Sequence, residues 1–111
     1  MPAPDIQMID PETLRGWLVR GEAVLYDVRE RHEWDEARID GATLMPLSQF
    51  DAARIETPEG KKLVFHCRSG VRCGAAAGQM ALAGAQGPIY RLQGGIIAWA
   101  QAGLPFLRGQ E

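Results

Sequence analysis

Short strand-forming runs alternate with helix-forming ones along this chain, and that alternation leaves few folds open. Ile6-Gln7-Met8-Ile9 reads as a first short strand. Asp10 is placed to cap the helix that follows, and Pro11 suits its first position. Leu14, Trp17 and Leu18 recur at helical spacing, which predicts a helix over residues 11–20 closed by Gly21. Residues 23–28 (AVLYDV) are apolar strand formers and predict a buried strand. Residues 30–37 predict a short polar helix. Residues 42–45 predict another strand, stopped by Pro46, after which Ser48 is expected to cap a helix through about Ile55. Lys62-Leu63-Val64-Phe65-His66 is the clearest strand. An alanine-rich helix is predicted from near Val71 to about Ala83, ended by Gly84. Ile89-Tyr90-Arg91-Leu92 is a last strand, and Gly94-Gly95 opens a final helix whose Ile96, Ile97, Trp99 and Ala100 can cover a sheet face.

This order predicts an α/β fold with a mostly parallel sheet and helices on both faces. The 111 residues suffice for one compact domain, expected over residues 1–111 with its core at about 5–106. In such sheets ligands bind beyond the carboxyl ends of the strands. Two places qualify: the loop after His66, and Asp27-Val28-Arg29.

Charge and cysteine content exclude several function classes. A net charge of −2 leaves no basic footprint for nucleic acid. No apolar run approaches the ~20 residues of a membrane span. The opening MPAPDIQMID lacks the charged-then-apolar pattern of a secretory leader, so a cytoplasmic protein is expected. Cys67 and Cys73 are the two cysteines, and His32 and His66 the two histidines. That is too little for a disulfide framework or a zinc finger. A monomer without metal or cofactor is expected, and thiol chemistry or inert burial remains.

Residues 67–72 (CRSGVR) favour chemistry. A thiol at the end of a buried strand enters a glycine-containing turn, and a helix begins near Val71. Backbone N–H groups in such a turn converge into an anion nest, and the helix N-terminus adds partial positive charge. Arg68 and Arg72 add two full charges. Together they should lower the pKa of Cys67 and supply a thiolate nucleophile.

Cys-Arg-Ser-Gly-Val-Arg between an apolar strand and a helix resembles the active-site loop of the rhodanese-like sulfurtransferases. Asp27-Val28-Arg29, His32-Glu33-Trp34 and Ile39-Asp40-Gly41-Ala42 resemble the family's upstream signature. Leu92-Gln93-Gly94-Gly95, Trp99, Gly103 and Pro105 resemble its closing motif. The resemblance covers nearly the whole chain. It implies a single rhodanese-like domain with a five-stranded sheet and a Cys67 that accepts sulfane sulfur as a persulfide. The donor would be a small anion such as thiosulfate. The acceptor would be cyanide in the test tube, or a thiol or sulfur-carrier protein. Arg68, Ser69, Gly70, Val71 and Arg72 would hold the sulfur, with Arg68 and Arg72 attracting the donor.

Two positions depart from the family's habit. Ala37-Arg38 stands where Gly-His is common, and Cys73 stands where Ser is common. The loop arginine five residues after Cys67 makes a shorter loop than related phosphatases use, which suits sulfur better than phosphate.

Other residues carry plainer expectations. Cys73 is either a resolving thiol or, the favoured reading, a residue that fills the core. Asp27 and Arg29 are expected to support the site structurally, Asp27 by accepting loop N–H bonds and Arg29 by pairing with Glu33 or Glu30. His66 should point away from Cys67, as alternate strand residues do. Trp17 and Trp99 suit core packing, Trp34 is ambiguous, and His32 is expected in solvent. Two alternatives to a sulfurtransferase stay open: a rhodanese-like binding or regulatory module, and a Cys67/Cys73 dithiol redox enzyme.

Overall fold

The computed structural model describes residues 5–109. Residues 1–4, part of the stretch read for a leader, and 110–111 of the expected domain lie outside the described residues. Strand β1 (Ile6–Ile9) leads into helix α1 (Pro11–Val19), where the Asp10 carboxylate accepts the Thr13 N–H at 2.7 Å. β2 (Ala23–Asp27) follows, then α2 (Arg31–Glu36), whose first turn is closed by a reciprocal capping box of Glu30 and Glu33. The two-residue strands β3 (Ala37–Arg38) and β4 (Thr43–Leu44) come next. After them come β5 (Lys62–His66), α3 (Arg72–Leu82), β6 (Ile89–Leu92), α4 (Gly95–Gln101) and β7 (Leu107–Arg108).

The main sheet has five strands in the order β1-β6-β5-β2-β4, and every pair in it is parallel. This is the α/β fold expected from the alternation. Side chains along β2 and β5 alternate between two apolar layers. Tyr26, Leu63 and Phe65 join Ala76, Ala77 and Met80 of α3 on one face. Ala23, Leu25 and Val64 join Leu14 of α1 and Ile96 and Trp99 of α4 on the other. Trp99 is buried with its indole N–H on the Pro105 carbonyl at 2.8 Å, and Trp17 stacks edge-on against Tyr90. Trp34 lies beneath the Arg38 guanidinium. No helix among the described residues is long and apolar enough to cross a membrane.

Two local expectations need correction. The helix expected from Ser48 to Ile55 is instead two single 3-10 turns, Leu47–Gln49 and Ala52–Arg54. Phe50 and Asp51 between them are extended, and the Ser48 hydroxyl donates to Glu30 at 2.6 Å rather than capping a helix. The second correction is the antiparallel pairing of β3 with β7, which was not expected. It joins Ala37 to Arg108 and Arg38 to Leu107 across a long stretch of sequence.

Parallel strands put their carboxyl ends on one edge. Asp27 and His66 are register partners there, and Leu92 ends β6 beside them. The segments that leave these three residues are the ones that build the site.

Candidate active site

Cys67 is the first residue beyond β5. Its carbonyl oxygen accepts the Ile96 N–H at 3.0 Å, and that of Arg68 accepts the Ile97 N–H at 3.2 Å. Both donors belong to the first turn of α4, whose orphan N–H groups therefore fasten the loop from outside. Gly95 makes this possible. A Cβ there, at φ +59°, would run into the Cys67 and Arg68 carbonyl oxygens. Gly70 turns the loop at φ +101°, a conformation that favours glycine, and packs against the Gly94 backbone.

With its carbonyls turned outward, the loop offers N–H groups to the sulfur. The Gly70 N–H donates to Cys67 Sγ at 3.1 Å. The Cys67 thiol is held down to about 5. The largest cause is the Cys73 thiol, which hydrogen-bonds to Cys67; burial opposes, and the N–H groups of Cys73, Gly70 and Ser69 add to the lowering. The expectation of a depressed thiol therefore agrees with the geometry, but the principal cause differs. The N–H groups of the turn contribute as expected, but the Cys73 side chain, which was not foreseen, leads, and Arg68 and Arg72 are not among the leading causes. Cys67 is only 1% exposed, so the thiolate lies on the floor of the loop. Arg68, Ser69 and Val71 form an exposed rim above it, with Val71 75% exposed.

Arg72 is engaged elsewhere. Its Nη1 and Nη2 each meet a Glu33 carboxylate oxygen at 2.7 Å. This pair holds the Glu33 carboxyl down to about 2, against the cost of its partial burial. The expectation that Arg29 pairs with Glu33 or Glu30 is corrected. Arg29 instead clasps Asp27, with Nη2 on Oδ2 at 2.7 Å and Nε on Oδ1 at 3.0 Å. The Arg29 N–H also donates to Asp27 Oδ1, and its Nη2 bonds the Ala37 carbonyl at 2.6 Å. Asp27 and Arg29 are both buried, so the charges neutralise each other within the fold. They brace the chain beside the loop rather than facing Cys67.

His66 closes β5 with its ring set against Asp27 and the Cys67 backbone. Its Nε2 lies 3.5 Å from Asp27 Oδ2, and its Nδ1 lies 3.2 Å from the Cys67 carbonyl oxygen. Complete burial lowers its pKa, with Asp27 opposing.

Cys73 is fully buried beside Ala76 and Ala77, but filling space is an incomplete description of it. Its thiol donates to the Gly70 carbonyl oxygen at 3.3 Å, on the residue whose N–H meets the Cys67 sulfur. Arg91, which the sequence did not single out, donates through Nε to Cys73 Sγ at 3.5 Å and through Nη2 to the Gly70 carbonyl at 2.7 Å. The available signal was a charged residue inside the apolar run Ile89-Tyr90-Arg91-Leu92. Among the described residues no three of His, Cys, Asp or Glu gather as metal ligands.

The comparisons with known proteins agree with this architecture. The family described as rhodanese-like domain matches residues 10–102. A protein of Allochromatium vinosum named sulfurtransferase is 35% identical, over 92% of this chain and 95% of that protein. A probable adenylyltransferase/sulfurtransferase of Mycobacterium tuberculosis is 40% identical over 84% of this chain, which spans 24% of that protein. Several other curated relatives are also longer, the chain spanning between a third and a little over half of them. A solved thiosulfate sulfurtransferase of Pseudomonas aeruginosa superposes with a TM-score of 0.80 at 27% identity, covering 99% of this chain and 21% of that one.

Proposed function

The chain belongs to the rhodanese-like domain family of sulfurtransferases, and from that premise we propose that it carries sulfane sulfur on Cys67 as a persulfide. The donor is a small anion such as thiosulfate. The Cys67 thiolate attacks the outer sulfur of thiosulfate, the sulfur–sulfur bond of the donor breaks, and sulfite leaves with the bonding electrons. The negative charge then resides on the outer sulfur of the persulfide. An acceptor nucleophile attacks that sulfur and restores the thiolate. Cyanide would leave as thiocyanate; a thiol or a carrier protein would leave with the sulfur attached.

One observation carries the reading: a thiol held down to about 5 on the floor of a loop whose N–H groups point at it. At neutral pH such a thiol is ionised without a neighbouring base. Arg68 on the exposed rim is the cation assigned to draw in the anionic donor, with Ser69 and Val71 shaping the mouth and the buried Gly70 holding the sulfur from below. Arg72, tied to Glu33, is assigned to positioning the loop. The test is sulfite and thiocyanate formation from thiosulfate and cyanide. Wild type should form both and Cys67→Ser neither. Formation by Cys67→Ser at the wild-type rate would overturn the reading.

A further inference from the structure

Both cysteines are closed off from solvent, Cys67 at 1% exposure and Cys73 at 0%. An acceptor from outside must reach the floor of the loop. Cys73 is already there. Gly70 ties the two sulfurs to one residue, its N–H on Cys67 Sγ at 3.1 Å and its carbonyl on Cys73 Sγ at 3.3 Å. Arg91 places a guanidinium nitrogen 3.5 Å from Cys73 Sγ and another on the Gly70 carbonyl at 2.7 Å, so the second sulfur is held on the same residue that holds the first.

We propose that Cys73 is an internal resolving thiol, which attacks Sγ of the Cys67 persulfide and releases the sulfane sulfur as sulfide. This rests on the persulfide reading above. In the step, the Cys73 sulfur forms a bond to Cys67 Sγ, and the bond from Cys67 Sγ to the outer sulfur breaks. The outer sulfur leaves as hydrosulfide, taking the bonding electrons and the proton that Cys73 gives up. The sulfane sulfur is reduced, and the two cysteines are oxidised to a disulfide. A thiol reductant from solution then restores both thiols.

The charge distribution favours the step only after sulfur has been loaded. In the resting site Cys73 is held protonated first by the Cys67 sulfur and then by burial, while Arg91 pulls the other way. Loading moves the charge from Cys67 Sγ to the outer sulfur. The first of those causes is then removed, and Arg91 remains beside Cys73.

The experiment uses the whole chain without oxygen or added thiol. Fully reduced protein is loaded with sodium thiosulfate, desalted, and followed by intact mass and by sulfide release. Wild type should pass from a gain of one sulfur atom to a loss of two hydrogens, with one sulfide released per chain. Cys73→Ser keeps a hydroxyl donor but cannot form the disulfide. It should hold the added sulfur and release at least tenfold less sulfide over the same time. Wild type that holds its sulfur as long as Cys73→Ser would overturn the resolving role and leave the persulfide standing. A disulfide between two chains would overturn the internal step. Uptake of no sulfur by either protein would overturn both readings together.

Discussion

Arg72 and Glu33 face each other as a two-pronged ion pair, with both nitrogen–oxygen contacts at 2.7 Å. The pair ties the first residue of α3 to α2 and so fixes the far end of the loop that begins at Cys67. Arg72 is about a third exposed, so solvent screens the pair and its contribution is about 1 kcal/mol. Glu33→Gln should lower stability by that amount at pH 7. Because the folded carboxyl titrates near 2, below its ordinary 4.5, the contribution is complete above 4.5 and is lost as pH falls through 2. Urea denaturation at pH 7 and pH 3 checks this. The gap between wild type and Glu33→Gln should narrow at the lower pH.

Cys67 should alkylate with a midpoint near pH 5, well below an ordinary thiol. Cys73→Ala removes the largest cause of the lowering, so the midpoint should rise. Cys73→Ser, which keeps a hydrogen-bond donor, should raise it less. Iodoacetamide rates on Cys67 across pH, read by peptide mass, test the order. Equal midpoints in all three proteins would contradict the role given to Cys73.

Gly95→Ala should destabilise by about 2 kcal/mol or more, because the new Cβ meets the Cys67 and Arg68 carbonyl oxygens in a backbone conformation that alanine adopts at a cost. The loop must shift to relieve the contact. Slower alkylation of Cys67 should accompany the lower denaturation midpoint.

Arg29→Met leaves the Asp27 carboxylate buried without its partner and should cost about 3–5 kcal/mol. The double variant Asp27→Asn, Arg29→Met removes both charges and should recover much of that loss. Denaturation midpoints of the two variants measure the difference.

What could be read from sequence was local. Strands such as Lys62–His66 announce themselves as apolar runs, and Asp10 and Pro11 mark a helix start within a few residues. The residues around Cys67 share the same short segment, so its nest of N–H groups was legible. What escaped depends on distant partners. Glu33 reaches Arg72 across 39 residues, and Arg91 reaches Cys73 across 18. Neither pairing leaves a periodic trace. Arg29 offered three carboxylates within reach along the chain, and only the folded strand edge decides for Asp27. The Ser48 segment misled because a polar cap residue also suits a bond to Glu30 in another element.

Sulfur carriage on Cys67 is tested most directly in Cys73→Ser, in which loaded sulfur cannot pass to Cys73. The protein is treated with thiosulfate, desalted, weighed intact, then treated with cyanide and weighed again. A gain of one sulfur atom is predicted, located on Cys67 by peptide mass and removed by cyanide with release of thiocyanate. Discharge by cyanide matters, because a sulfinic acid weighs nearly the same and would stay. A Cys67 that remains free and alkylatable after thiosulfate, or a gain that cyanide does not remove, would contradict it.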